Sequence, residues 1–146
     1  PLVQRSEDER RPMTDDSSKA KLRRAAPVFL VGDIASTMRW YQTNLGFHAD
    51  PFPESAPHAF CILSRNDVEI MLQLRAGYQK PDRYNDREDG VWSVYLRMEG
   101  VRALFLALSE RHAVRVLEPI HRQPYGETEF IIEDPNGYTL VFAERE

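Results

Sequence analysis

Among side chains able to do nucleophilic, acid–base or metal chemistry, the 146-residue chain holds four histidines and a single cysteine. His48 and His58 flank a loop-like stretch, His112 closes a predicted helix and His121 sits in a Pro-flanked connection. Surface or capping roles suit all four better than catalysis. Cys61 stands between Phe60 and Ile62 in a predicted strand, with no partner base identifiable in the sequence, so it reads as a small buried hydrophobe rather than a nucleophile. The seven glycines are scattered through turns without the spacing of a phosphate-binding loop, which leaves a nucleotide cofactor no evident seat. No catalytic constellation announces itself, and no cofactor is expected.

The elements that must position any site follow from periodicity. Val28-Phe29-Leu30-Val31 is a short β-type run, followed by Gly32 and by Asp33, a suitable helix N-cap. Ile34, Met38, Tyr41 and Leu45 then draw an apolar stripe down a helix that Gly46 can end in a left-handed cap. Strands are predicted over Phe47–Pro51, Ala59–Leu63 and Val68–Leu74, the last two joined by an Asn66-Asp67 turn. After a polar connection the same order returns: strand Val91–Arg97, helix Val101–His112, and strands Val114–Leu117, Thr128–Glu133 and Tyr138–Ala143. A shift of 67 residues places Ile34 on Val101, Met38 on Phe105 and Tyr41 on Leu108, and a shift of 70 places Phe60 on Phe130 and Ile62 on Ile132. The pattern is a duplication, and the expected fold is α+β, two β-α-β-β-β modules.

Bulk properties bound what such a fold can do. The chain is 42% apolar and 29% charged, and no apolar run approaches the roughly 20 residues that a membrane-spanning helix requires. The net charge is −4 and the basic residues are dispersed, so neither a membrane nor a nucleic acid is the expected partner. The lone cysteine and the lack of a secretory signal pattern point to the cytoplasm. Residues 1–25 mix both charge signs with Ser and Pro and read as a flexible tail, with Met13 a candidate start and residues 1–12 an extension before it. The domain is expected over residues 26–146, as module one (26–75), a linker (76–90) and module two (91–144).

Two stretches carry a resemblance. The first runs from Phe29-Leu30-Val31-Gly32-Asp33-Ile34 to Trp40-Tyr41-Gln42-Thr43-Asn44-Leu45-Gly46-Phe47. The second runs from Tyr125-Gly126-Glu127-Thr128-Glu129-Phe130 to Glu133-Asp134-Pro135-Asn136-Gly137-Tyr138. An Asp-Pro-Asn-Gly turn by itself serves any hairpin, but both stretches at this separation inside a duplicated pattern are far more specific. Over about residues 26–144 the chain resembles the glyoxalase, bleomycin-resistance and extradiol-dioxygenase superfamily, also called vicinal oxygen chelate proteins. The resemblance implies sheets that curl into an open cup, usually completed by a homodimer, with a small-molecule site on the concave face.

Enzymatic members of that group hold a divalent metal through His or Gln on first strands and Glu on last strands. Carried over position by position, these ligands fall on Ala26 and Ser93 and on Met71 and Val141, none a good donor. Glu69, two residues before Met71 and on the same strand face, is the one candidate remnant, although a lone strand carboxylate is more often a solvated surface group.

The remaining lining is apolar and aromatic. Glu69, Met71 and Gln73 share one strand face, as do Ser93, Tyr95 and Arg97, and Phe60, Trp92, Tyr125 and Phe142 are nearby aromatic candidates. Trp92 reads as core filling and Tyr95 as the better pocket residue. The linker, with Tyr78 and Tyr84, is long enough to cover the cup mouth or reach a partner subunit, and its composition equally suits a disordered, solvated loop.

The expectation is a metal-independent, homodimeric small-molecule binding protein similar to the bleomycin-resistance branch, with drug sequestration as its concrete form. One alternative is a metal-dependent lyase, isomerase or dioxygenase of the same group, which needs at least three convergent donors. Another is an inert scaffold whose cup is filled by its own side chains.

Overall fold

The computed structural model describes residues 10–11, 15–84 and 91–146. Met13 as a start and the second half of the linker lie outside the described residues, as does most of the stretch read as a tail before Asp15. After a single helical turn, Asp15–Ser18, the order is β1 (Val28–Val31), α1 (Ile34–Leu45), β2 (His48–Phe52), β3 (Phe60–Arg65) and β4 (Val68–Leu74). The second module is β5 (Val94–Arg97), α2 (Val101–Ser109), β6 (Arg115–Arg122), β7 (Glu127–Glu133) and β8 (Thr139–Arg145). Each module forms a four-stranded mixed sheet, ordered β1-β4-β3-β2 and β5-β8-β7-β6, with the first strand parallel to the last. This is the duplicated α+β architecture read from the sequence.

Local chemistry explains the boundaries. Asp33 caps α1 by accepting a 3.0 Å hydrogen bond from the Ser36 amide, and Gly46 closes it at φ 67°. The β3–β4 turn is made at Asn66, whose φ of 52° lies in the left-handed region that asparagine tolerates. In α2, Gly100 offers no capping side chain; Glu144 of β8 fills the role, its Oε1 accepting from the Gly100 and Val101 amides, each at 3.0 Å. That helix stops at Ser109 rather than reaching His112, which lies in the turn beyond it.

The longest departure from expectation is β6. Its predicted end at Leu117 moves out to Arg122, taking in Pro119 and His121, because an outer strand tolerates a proline where a central one cannot. The ladder to β7 registers that cost as irregular pairing on both sides of Glu118.

Alternation divides each sheet into a helix-facing and an open side. Phe29, Val31, Cys61, Leu63, Ile70 and Leu72 of the first sheet are buried on the helix side. In the second, Phe130 and Phe142 stack at 5.1 Å between ring centres, with Phe105 of α2 packed on Phe130. The modules are fastened to one another through α1, β1 and the β7–β8 turn. Phe29 stacks on Tyr138 at 4.1 Å, the Tyr138 hydroxyl donates to the Leu30 carbonyl at 2.7 Å, and Trp40 Nε1 donates to the Ala113 carbonyl at 2.9 Å.

Candidate functional site

The open side of the second sheet holds what the core does not: charge. Along β7, Glu127, Glu129 and Glu133 project to one side while Thr128, Phe130 and Ile132 project to the other, and every residue of the strand is buried. Carboxylates on an interior strand demand compensation, since a buried unpaired charge costs several kcal/mol. Glu133 receives it from Arg83 and Arg115, the latter at 3.1 Å. Glu127 receives it from Arg97 and Arg145, at 3.3 and 3.5 Å.

Glu129, between them, pairs with no guanidinium among the described residues. Its Oε2 accepts hydrogen bonds from the hydroxyls of Tyr95 and Tyr125, the latter at 2.7 Å, while its Oε1 is buried with no partner. The side chain belongs to a residue only 1% exposed. His121 is its register neighbour on β6 but is exposed and forms no ion pair with it among the described residues. Burial, and then the bonds to Glu129, push the Tyr125 phenol up to about 12 and the Tyr95 phenol higher still, so both remain neutral donors across physiological pH.

Aromatic surface surrounds this carboxylate. Trp92 packs at 5.4 Å from Tyr95, and Trp92 and Tyr125 are 49% and 50% exposed. Trp92, expected in the core, therefore stands at the surface of the open face, because β5 begins only at Val94 and leaves it outside the ladder. An open depression of about 440 Å³, lined by Arg97, Met98, Glu99, Glu127, Ala143, Glu144 and Arg145, lies further along the sheet; Glu129, Trp92, Tyr95 and Tyr125 do not line it, and its tie to Glu129 is Ala143, the β8 register partner of that residue.

The end of the described part of the linker, Arg83 and Tyr84, reaches the same face, while Lys80 lies at the junction between the modules. Arg83 reaches Glu133, the Tyr84 hydroxyl donates to Glu118 at 3.2 Å, and Lys80 lies over the Tyr138 ring at 5.6 Å from its centre.

The residues singled out in the sequence fall into three places. Tyr95 and Tyr125 meet at Glu129, and Ser93 lies beside them at the head of β5, its Oγ accepting from the Thr139 amide at 2.9 Å. Phe60, Glu69, Met71 and Gln73 share the open side of the first sheet, where Met71 pairs with Val28 and Ile62, and Gln73 with Leu30 and Phe60. Phe142 lies on the helix side, bordering a separate groove of about 490 Å³ that also touches Leu45, Phe47, Leu96 and Leu104. That groove contains none of the buried groups left without a partner.

Two β-α-β-β-β modules, each with a helix-covered and an open sheet face, define the class of fold. Residues 23–142 match the family model of the Glyoxalase/Bleomycin resistance protein/Dioxygenase superfamily, and the chain belongs to that family. Among solved structures it is similar to TioX from Micromonospora sp. ML1, at 16% identity, TM-score 0.65, and coverage of 84% of this chain and 99% of that one. It is similar to the bleomycin-binding protein of bleomycin-producing Streptomyces verticillus, complexed with copper(II)-bleomycin, at 18% identity, TM-score 0.64, and coverage of 87% and 99%. A glyoxalase-related enzyme from Clostridium phytofermentans gives 18% identity, TM-score 0.66, and coverage of 87% and 98%. Such identities establish the fold alone. No curated protein matches the chain.

The residues at the metal positions implied by the resemblance do not fit a divalent cation. Ala26 precedes β1, Met71 pairs with Val28, Ser93 precedes β5 and Val141 pairs with Tyr95. Together they present two aliphatic side chains, a thioether and a hydroxyl already engaged by a backbone amide, where hard oxygen or imidazole donors are needed. Among the described residues no three His, Cys, Asp or Glu side chains converge as a metal site.

Proposed function

We propose that this chain is a metal-independent small-molecule binding protein that sequesters its ligand without chemistry, with the site on the open face of the second sheet. The observation that carries this reading is the buried Glu129 carboxylate, held by Tyr95 and Tyr125 beside the half-exposed Trp92, where among the described residues no three His, Cys, Asp or Glu side chains converge as a metal site. Such a lining, aromatic rings beside fixed charged and hydrogen-bonding groups, is suited to orienting a bound ligand. The likeness to a bleomycin-binding protein makes drug sequestration the concrete form of the proposal.

The test is the metal content of chelator-free, untagged protein, followed by thermal-shift titration with nickel, zinc, manganese and ferrous ions. Substoichiometric metal and an unmoved melting temperature are expected; a near-stoichiometric metal or a saturable rise overturns the metal-independent reading. Screening against bleomycin and aromatic compounds of all charges then seeks the ligand.

The same reading includes a homodimer. The open side of the first sheet carries Val28, Leu30, Phe60, Ile62, Met71 and Phe52, with Val28 51% and Phe52 69% exposed. An apolar sheet face of this kind is normally covered in a stable protein. Sedimentation equilibrium is expected to give twice the chain mass, and Phe52→Glu to shift it toward the monomer; a monomeric wild-type protein removes the dimer.

A further inference from the structure

The three carboxylates of β7 are treated unequally. Among the described residues Glu127 and Glu133 each face two arginines, although both Glu127 oxygens lack a hydrogen-bond donor, whereas Glu129, the most deeply buried of the three, pairs with no guanidinium, faces two neutral phenols and keeps one oxygen without a donor. Burial without a counter-charge is the arrangement that folding alone disfavours most. A group held in this state beneath exposed aromatic rings is suited to a partner that arrives from solution.

We propose that Glu129 is the counter-ion for an organic cation bearing N–H donors, an ammonium or amidinium on an apolar or aromatic body. Its N–H groups satisfy Oε1, its charge pairs with the carboxylate, and Trp92 and Tyr95 supply the faces that attract a cation. Arg97 already lies over the Tyr95 ring, 5.5 Å from its centre, so the ligand's cation shares that ring with the chain's own guanidinium or displaces it. Tyr125 is the movable wall. It sits in the turn that closes with the Gly126 amide on the Gln123 carbonyl, is half exposed, and donates its hydroxyl to Glu129. When the phenol swings outward, the carboxylate opens to the depression beside Ala143, and the ligand's N–H replaces the donor that Tyr125 withdraws.

This inference rests on the reading of the chain as a small-molecule binder, and it is tested with three planar probes of one shape: benzamidine, benzamide and benzoate. NMR titration of the full-length protein follows the Trp92 indole resonance, assigned with Trp92→Phe. Benzamidine is expected to saturate it, with benzamide and benzoate at least about tenfold weaker. Glu129→Gln, nearly isosteric, is expected to weaken benzamidine at least about tenfold, the range of a charge-assisted hydrogen bond. Trp92→Ala, at a half-exposed position outside the strand ladder, is expected to weaken it about two- to thirtyfold, and it carries the test should Glu129→Gln fail to fold. Equal binding of benzamide or benzoate, unchanged affinity in Glu129→Gln or in Trp92→Ala, or no saturation by benzamidine each overturns the inference. A neutral or anionic compound that binds this face indifferently to Glu129→Gln removes the cation specificity and leaves the binding function standing. Failure of compounds of every charge removes both.

Discussion

At the scale of single residues, the polar groups of this protein are sorted by whether the fold supplies their partners. Tyr41, fully buried, donates to Asp134 Oδ2 at 2.7 Å, while Asp134 Oδ1 accepts from the Asn136 and Tyr138 amides at 2.8 and 2.9 Å. Burial raises the Asp134 carboxyl above its ordinary value, and the Tyr41 hydroxyl is the foremost of the bonds that oppose that rise. Tyr41→Phe therefore strands a buried carboxylate oxygen, and urea denaturation at pH 7 is expected to show a loss of about 1–3 kcal/mol. Because removal of the hydroxyl raises the carboxyl further, the mutant's deficit shrinks as pH falls and Asp134 protonates. A deficit independent of pH would assign the loss to packing instead. Strand alternation singled out Tyr95, and Tyr125 stood among the nearby aromatic candidates, but Glu129, which both contact, was not read from the sequence. The signal was present: three glutamates at even spacing opposite Phe130 and Ile132 put charge on one side of a strand whose other side is core. What the sequence lacked was the strand order, which alone shows that β7 has neighbours on both sides and that its charges are buried.

At the scale of elements, the parts legible in advance were those whose stop signals are local. Asp33 and Gly46 bound α1, and Asn66 makes the first hairpin, because caps and left-handed turns are decided by one or two residues. The parts that moved are those decided by distant chain. Helix α2 begins where Glu144, 43 and 44 residues further on, caps its amides. Strand β6 continues past Pro119 because β7 offers it a partner, and β5 starts late because β8 offers pairing only from Val94, with Ser93 adding one amide bond to Thr139. Trp92 was misassigned to the core for the same reason: three residues of strand decide whether its ring points inward or stands at the surface.

At the scale of the whole molecule, the tyrosines tie the modules together and set an alkaline limit on stability. Tyr41 and Tyr138 bridge the modules through Asp134 and the Leu30 carbonyl, and Tyr95 and Tyr125 close over Glu129. All four phenols are raised above their ordinary value of 10, burial being the first cause in each, with Tyr125 and Tyr138 reaching about 12. A raised phenol means that the folded state prefers the protonated form, so its contribution is complete below pH 10 and is lost as pH rises through about 12. Tyr41 and Tyr138 dominate this effect, being buried, whereas solvent around the half-exposed Tyr125 screens its share. Two measurements check it. The tyrosinate absorbance at 295 nm is expected to rise at higher pH in the folded chain than in guanidinium, and the melting temperature to hold steady up to about pH 10 and then fall. Coincident titration of folded and unfolded chains would mean that the phenols are solvated, and that the contacts described between the modules and over Glu129 do not hold the protein together.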